Sequence, residues 1–210
     1  MKVAQPPRAN QDRVQRAYAR PLDSLLSIAD RFVRFFASPG EDLKVTGRPN
    51  NNVVLTPGNH GKLTIDESGT VLSFAPGAYV EQLVLNENCI VRGADVRHPS
   101  ARPGAAVQVN AAAVIIDRLS VSTDEGPSIS ISATTSAMVS GAYMSQASGS
   151  EFVSVENGGR AMLTSVVFAP STSTAGFGVN NAGAIVNVDL TGSVNLPALA
   201  HNFVTVISEV

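Results

Sequence analysis

Charged and aromatic side chains are scarce in this sequence of 210 residues, and tryptophan is absent. Only 15% of the residues are charged, against roughly 25% in typical soluble domains. This scarcity argues against a helical bundle, whose solvated faces need Glu, Lys and Arg. The net charge of −2 argues against nucleic-acid binding, which needs a strongly basic surface. The single cysteine, Cys89, excludes an intramolecular disulfide and a metal site built from several thiolates.

Long apolar runs are also missing. The sequence has no run of the roughly 18 apolar residues that a membrane-spanning helix needs, and we predict no membrane insertion. Residues 1–8 have no apolar core of the kind found in secretory signals. We therefore expect a protein that is neither inserted in a membrane nor exported by a signal peptide.

The charge that is present is distributed unevenly. Residues 1–20 contain five basic side chains and one acidic one, a net charge of +4, so the rest of the chain carries −6. We predict that residues 1–20 form a basic attachment arm in which Arg8, Arg13, Arg16 and Arg20 pair with oxygens of a partner. A solvated, disordered tail is the alternative interpretation, because the segment has too few apolar residues to bury.

Residues 21–38 have apolar side chains at helical spacing. Pro21 suits a first helical turn, and Pro39-Gly40 would end the helix. This pattern predicts an amphipathic helix that either caps the following domain or associates with a partner or another copy. The apolar positions with alternating spacings of three and four are Leu22, Leu25, Ala29, Phe32 and Phe36.

The rest of the chain contains a repeat. Its anchor positions, which recur at nearly equal intervals, are Ile90, Ile115, Met138, Met162 and Ile185. Before each anchor lies a short alternating strand, with a polar turn between strand and anchor in most repeats. The repeat predicts an all-β fold, a right-handed parallel β-helix of about five to six coils over residues 39–195. A β-sandwich is the competing fold, but it does not explain five blocks in register. Residues 196–210 are predicted to be a C-terminal capping strand.

The repeat also predicts which side chains fill the interior. One inward column is expected to contain Leu85, Val109, Ile131, Val155 and Val179. The anchors Ile90, Ile115, Met138, Met162 and Ile185 are expected to form a second inward column. Asn residues at the corners are expected to hydrogen-bond between coils. The repeat is less clear before Leu83, where residues 63–65 and 71–74 are expected to form a first, imperfect coil.

No constellation of catalytic residues is evident. Asp117 has no carboxylate at the matching positions of the later repeats, where Ser140, Thr164 and Asn187 stand. Asp189 is three coils away, which is about 14 Å at 4.8 Å per strand and too far for the carboxylate pairs of glycoside hydrolysis. We predict no catalytic, cofactor-binding or metal-binding residues. Cys89 is expected to be a small buried hydrophobic residue.

The histidines are widely separated in the sequence. His60, His98 and His201 are each expected at the surface or in a turn, and not as metal ligands.

Residues 53–195 resemble the pectate-lyase-type right-handed β-helix, in particular the small trimeric modules of tailed-phage particles. The resemblance implies a homotrimeric, non-catalytic structural protein of the virion that is assembled in the host cytoplasm. We expect it to bind capsid or tail proteins through its arm and to decorate and stabilise the head. The alternatives are a tail fibre or tailspike module that binds a host-surface glycan and, less favoured, a polysaccharide lyase or hydrolase.

Overall fold

The computed structural model describes residues 40–46, 52–147, 152–156 and 158–169, together with the backbone alone of residues 32–35, 151, 170, 177–181, 184–189, 199–200 and 206–207. Within these residues the secondary structure consists of β-strands, and none of them is helical. The strands are β1 (Phe32–Phe35), β2 (Leu43–Val45), β3 (Asn52–Leu55), β4 (Gly58–Ile65), β5 (Thr70–Phe74), β6 (Ala78–Leu85), β7 (Cys89–His98), β8 (Val107–Val109), β9 (Val114–Thr123), β10 (Ile129–Ile131), β11 (Ser136–Gln146), β12 (Glu151–Val155), β13 (Arg160–Thr164), β14 (Val167–Pro170), β15 (Phe177–Asn181), β16 (Ala184–Asp189), β17 (Leu199–Ala200) and β18 (Val206–Ile207).

The strands wind into a parallel β-solenoid of about five turns, which confirms the predicted all-β solenoid. Three stacks of parallel strands form its faces. Sheet 1 contains β2, the ends of β4 and β6, and then β8, β10 and β12. Sheet 2 contains, in stacking order, β3, β5, the first halves of β7, β9 and β11, and then β13. Sheet 3 contains the starts of β4 and β6, the second halves of β7, β9 and β11, and β14.

The interior contains a continuous apolar column along sheet 1, as the repeat predicts. Leu85, Val109, Ile131 and Val155 stack in register along sheet 1, and each is at most 1% exposed. Full burial of such a side chain stabilises the fold by about 1.5–3 kcal/mol. The column departs from prediction at its next member, because Val179 pairs with Val153, two positions before the predicted neighbour.

The regular coils begin earlier than predicted. Leu43, Leu63 and Leu83 stack in one column of sheet 1, with the same length of chain from one to the next. The following step in that column, from Leu83 to Val107, takes a longer stretch of chain. The early coils are therefore regular but shorter, and the period of the later coils does not reveal them.

Most of the predicted helix over residues 21–38 lies outside the described residues. The described part is the strand Phe32–Phe35, whose aromatic and β-branched residues favour extended backbone. Phe32 therefore lies in β1. Leu22, Leu25, Ala29 and Phe36 lie outside the described residues, as do the arm arginines Arg8, Arg13, Arg16 and Arg20.

The corner between sheet 2 and sheet 3 has one backbone conformation in four successive coils. Gly93, Arg118, Gly141 and Ser165 occupy equivalent places with positive φ angles of 66°, 59°, 62° and 53°. Glycine adopts this left-handed conformation readily, whereas other residues pay about 1–2 kcal/mol for it. At each corner two successive residues are directed away from the interior, so the alternation of buried and exposed positions shifts by one.

Candidate functional site

A row of apolar side chains runs along the outside of sheet 2, and we call it the apolar row. Its members stack in register and are Val71, Ile90, Ile115, Met138 and Met162. Ile115 is 43% exposed and Met138 is 42% exposed, while the other three are half-buried. The stacked outward positions of sheet 1 are mostly polar by comparison. They are Lys44, Thr64, Gln108, Ser130 and Ser154, with Val84 as the apolar exception. A continuous apolar row with exposed members at its centre is typical of a contact surface.

The apolar row corrects the second predicted inward column. The register of Ile90, Ile115, Met138 and Met162 is as predicted, but these side chains face outward. In each strand the residues on either side of the anchor are buried: Cys89 and Val91, Val114 and Ile116, Ala137 and Val139, and Ala161 and Leu163. Since successive side chains of a strand alternate between faces, the anchors must lie outside.

The last predicted member of this column falls out of register. A register shift between Ala161 and Met162 pairs Ala161 with Ile185 and Met162 with Asn187. Ile185 therefore does not continue the apolar row.

A shallow groove of about 340 Å³ runs beside the apolar row. Ile115, Met138 and Met162 form one side, and the smaller residues Ala113 and Ser136 stand two positions earlier on the same coils. Arg160 stands at the end of the groove, in register with Ser136. The surface thus presents projecting apolar side chains next to a strip of small ones.

A row of polar side chains hydrogen-bonds one coil to the next at the corner after sheet 1. Lys44 Nζ lies 2.6 Å from Asp66 Oδ2. Asn86 donates to Asp66 at 2.6 Å, Asn110 donates to Asn86 at 2.8 Å, and Ser132 donates to Asn110 at 2.7 Å. The predicted hydrogen bonding between stacked Asn residues is confirmed by the Asn110–Asn86 bond. The Lys44 ammonium and then the Asn86 amide lower the pKa of Asp66.

Arg102 ties the loop after β7 to two earlier coils. Its Nε lies 2.6 Å from Glu81 Oε2, and its Nη2 lies 2.8 Å from Asp42 Oδ1. Asp42 also accepts a hydrogen bond from the backbone N–H of Lys62 at 2.7 Å. This N–H, followed by the Arg102 guanidinium, lowers the pKa of Asp42. The carboxylates of this surface are therefore engaged in holding coils together.

These contacts predict that the solenoid loses stability in acid. Asp42 and Asp66 have folded pKa values below the ordinary value of 3.8. Their contribution to the free energy of unfolding is therefore present above this value and is lost as the pH falls through the folded pKa. We expect the thermal midpoint, followed by circular dichroism, to fall steeply below about pH 4. The double variant Asp42→Asn/Asp66→Asn should show a weaker dependence, and an equal dependence would contradict this assignment.

The described carboxylates do not form an evident catalytic pair. Asp117 accepts a hydrogen bond from Ser140 at 3.3 Å and lies 3.5 Å from Arg118 Nε. The register shift in β16 places Asp189, and not the predicted Asn187, in register with Thr164. Asp189 remains three coils from Asp117, about 14 Å at 4.8 Å per strand. Among the residues with described side chains, no group of three or more His, Cys, Asp or Glu is placed to hold a metal ion.

The prediction of surface or turn positions for the histidines is wrong for two of them. His60 is 1% exposed and His98 is 2% exposed, because both are at inward positions of long strands. The His98 ring nitrogens lie 3.0 Å from the Glu81 carbonyl oxygen and 3.1 Å from the Gly104 carbonyl oxygen. His98 therefore helps to hold the loop after β7. His201 lies outside the described residues.

Cys89 is buried in the column, as predicted, with 5% of its surface exposed. Burial raises the pKa of its thiol to about 12. The thiolate that a nucleophile needs is therefore scarce at neutral pH.

Comparison with protein-family models, with curated proteins and with solved structures finds no match. Within the described residues, no helix is long and apolar enough to cross a membrane. The function must therefore be inferred from the surface of this chain.

Proposed function

We propose that this chain is a non-catalytic structural protein, a rigid β-solenoid that assembles as a homotrimer within a larger particle. The observation that carries the proposal is the apolar row, an outer surface suited to contact with protein. The engagement of charged side chains also supports it, because Asp42, Asp66, Glu81 and Arg102 hold coils together.

The larger particle is proposed to be a virion. The support is the resemblance of the repeat to trimeric phage modules and the basic character of residues 1–20. In this proposal the arm binds a capsid or tail protein, and the solenoid, wound in the usual right-handed sense, decorates and stabilises the head.

A second candidate function is glycan binding by a tail fibre or tailspike module. The observation that favours it is Tyr143, which is 49% exposed on sheet 3. It stacks in register with Ser120, which in turn stacks on Asp95. An exposed aromatic ring beside a hydroxyl group offers both an apolar face and a hydrogen-bonding partner to a sugar.

Sedimentation equilibrium of the full chain at micromolar concentration tests the assembly. We expect a species of three times the chain mass of 21.8 kDa, and a stable monomer would contradict the proposal. Incubation with bacterial polysaccharides tests the absence of catalysis. We expect no release of oligosaccharide fragments, and release that depends on the folded chain would contradict the non-catalytic assignment.

A further inference from the structure

We propose that the apolar row is the contact between copies, with the row of each copy seated in the groove of the next around a common axis. This inference rests on the proposed homotrimer and names the surface that forms it. The contact would run parallel to the solenoid axis and would involve sheet 2, leaving sheets 1 and 3 facing outward.

The first reason is the extent of the row. A single exposed apolar residue is common on protein surfaces and needs no explanation. Here five apolar side chains, two of them exposed and three half-buried, follow one another on successive coils, over about 19 Å at about 4.8 Å per stacked strand. Exposure of such a stripe to water is unfavourable, and burial against a partner removes that cost.

The second reason is the shape of the row, which selects a second copy as the partner. The side chains stack in register, one on each coil, at the spacing of stacked strands. A partner that touches the full length must present a row with the same spacing and course, and a parallel copy of this chain does so. A convex globular surface would reach only part of the row.

The third reason is that the surface is complementary to itself. Ile115 and Met138 project, while Ala113 and Ser136 on the same coils leave the groove of about 340 Å³. The projecting row of one copy can enter the groove of its neighbour, and the neighbour's row can enter the groove of a third copy. Such a head-to-tail contact closes into a ring when the rotation between copies permits, which agrees with a threefold assembly. The flexible methionine side chain suits a contact that requires adjustment.

Two substitutions test the inference in the full chain. Met138→Asp places a carboxylate in the proposed contact, where burial of an unpaired charge is strongly unfavourable. Ser136→Arg places a large side chain in the groove. The equivalent position of the next coil already has an exposed arginine, Arg160. The matched control is Tyr143→Asp, which places the same charge on sheet 3 of the same strand.

Sedimentation equilibrium and circular dichroism of each variant give the result. We expect Met138→Asp and Ser136→Arg to stay folded and to dissociate at concentrations about a hundredfold or more above those of the unaltered chain, while Tyr143→Asp stays trimeric. If the unaltered chain and these two folded variants are trimers of equal stability, the inference is overturned and the proposed homotrimer stands. If the unaltered chain is a monomer, both fail. Should Met138→Asp not fold, Ser136→Arg alone decides between these results.

Discussion

The variant Ile131→Asp should fail to fold, whereas Ile115→Asp should fold like the unaltered chain. Ile131 is fully buried in the inward column of sheet 1, between Val109 and Val155. An aspartate there would be buried without a charged partner, and the cost of several kcal/mol is a large share of the roughly 5–15 kcal/mol by which domains are typically stable. Ile115 is 43% exposed on the apolar row, so an aspartate there remains in contact with water in the separate chain.

Far-ultraviolet circular dichroism and the yield of soluble protein distinguish the two variants. Ile131→Val is the matched control, since it keeps an apolar side chain and should cost only about 0.5–1.5 kcal/mol. Loss of folding in both aspartate variants would mean that Ile115 is inward, and the apolar row would not exist. Retention of folding in both would mean that the sheet 1 column is not the core.

The difference between these two isoleucines also explains what the sequence can and cannot predict. In sheet 1 the strands alternate clearly, as in Val107-Gln108-Val109, and the polar middle residue reveals which side faces the core. In sheet 2 the corresponding segments are apolar throughout, as in residues 114–116, so alternation carries no information about direction. Hydrophobicity alone favours an inward position for the anchor of each segment, yet the anchor is the middle residue and lies outside.

The corners between sheet 2 and sheet 3 make the inward positions still harder to predict. At Arg118 the backbone turns through a left-handed conformation, and the inward positions change from even-numbered to odd-numbered residues. Gly93 and Gly141, at the equivalent corners, are the signal in the sequence that could have revealed the change, because glycine favours positive φ. In the coil between them Arg118 stands at this corner, and an arginine does not signal a positive φ.

Other features depend on local context that the repeat does not contain. The coils that begin at Leu43 and Leu63 are shorter than the later ones, so the period of the later coils does not predict them. The ring nitrogens of His98 lie within hydrogen-bond distance of two backbone carbonyl oxygens that only the folded loop brings together, so its burial is not evident from the sequence. By contrast, the Asn86–Asn110 hydrogen bond follows directly from the repeat, which predicts it.

The rate of methionine oxidation should report whether the apolar row is covered in the assembled protein. The chain has four methionines, and three of them lie in described coils. Met144 is buried inside the solenoid, Met138 is 42% exposed on the row, and Met162 is half-buried there. Oxidation of methionine to the sulfoxide depends on access of the oxidant to sulfur. The residues therefore report separately on the interior and on the outer surface of one molecule.

The most direct test is the rate at which hydrogen peroxide oxidises each methionine, measured by peptide mass spectrometry at a concentration where the full chain is assembled. We expect Met138 and Met162 to be oxidised as slowly as Met144, because the neighbouring copy covers the row. In the dissociated Ser136→Arg variant we expect Met138 to be oxidised about tenfold faster or more, while Met144 stays protected. If Met138 is oxidised equally fast in the unaltered assembled chain and in the variant, the apolar row is open to solvent and is not the contact between copies.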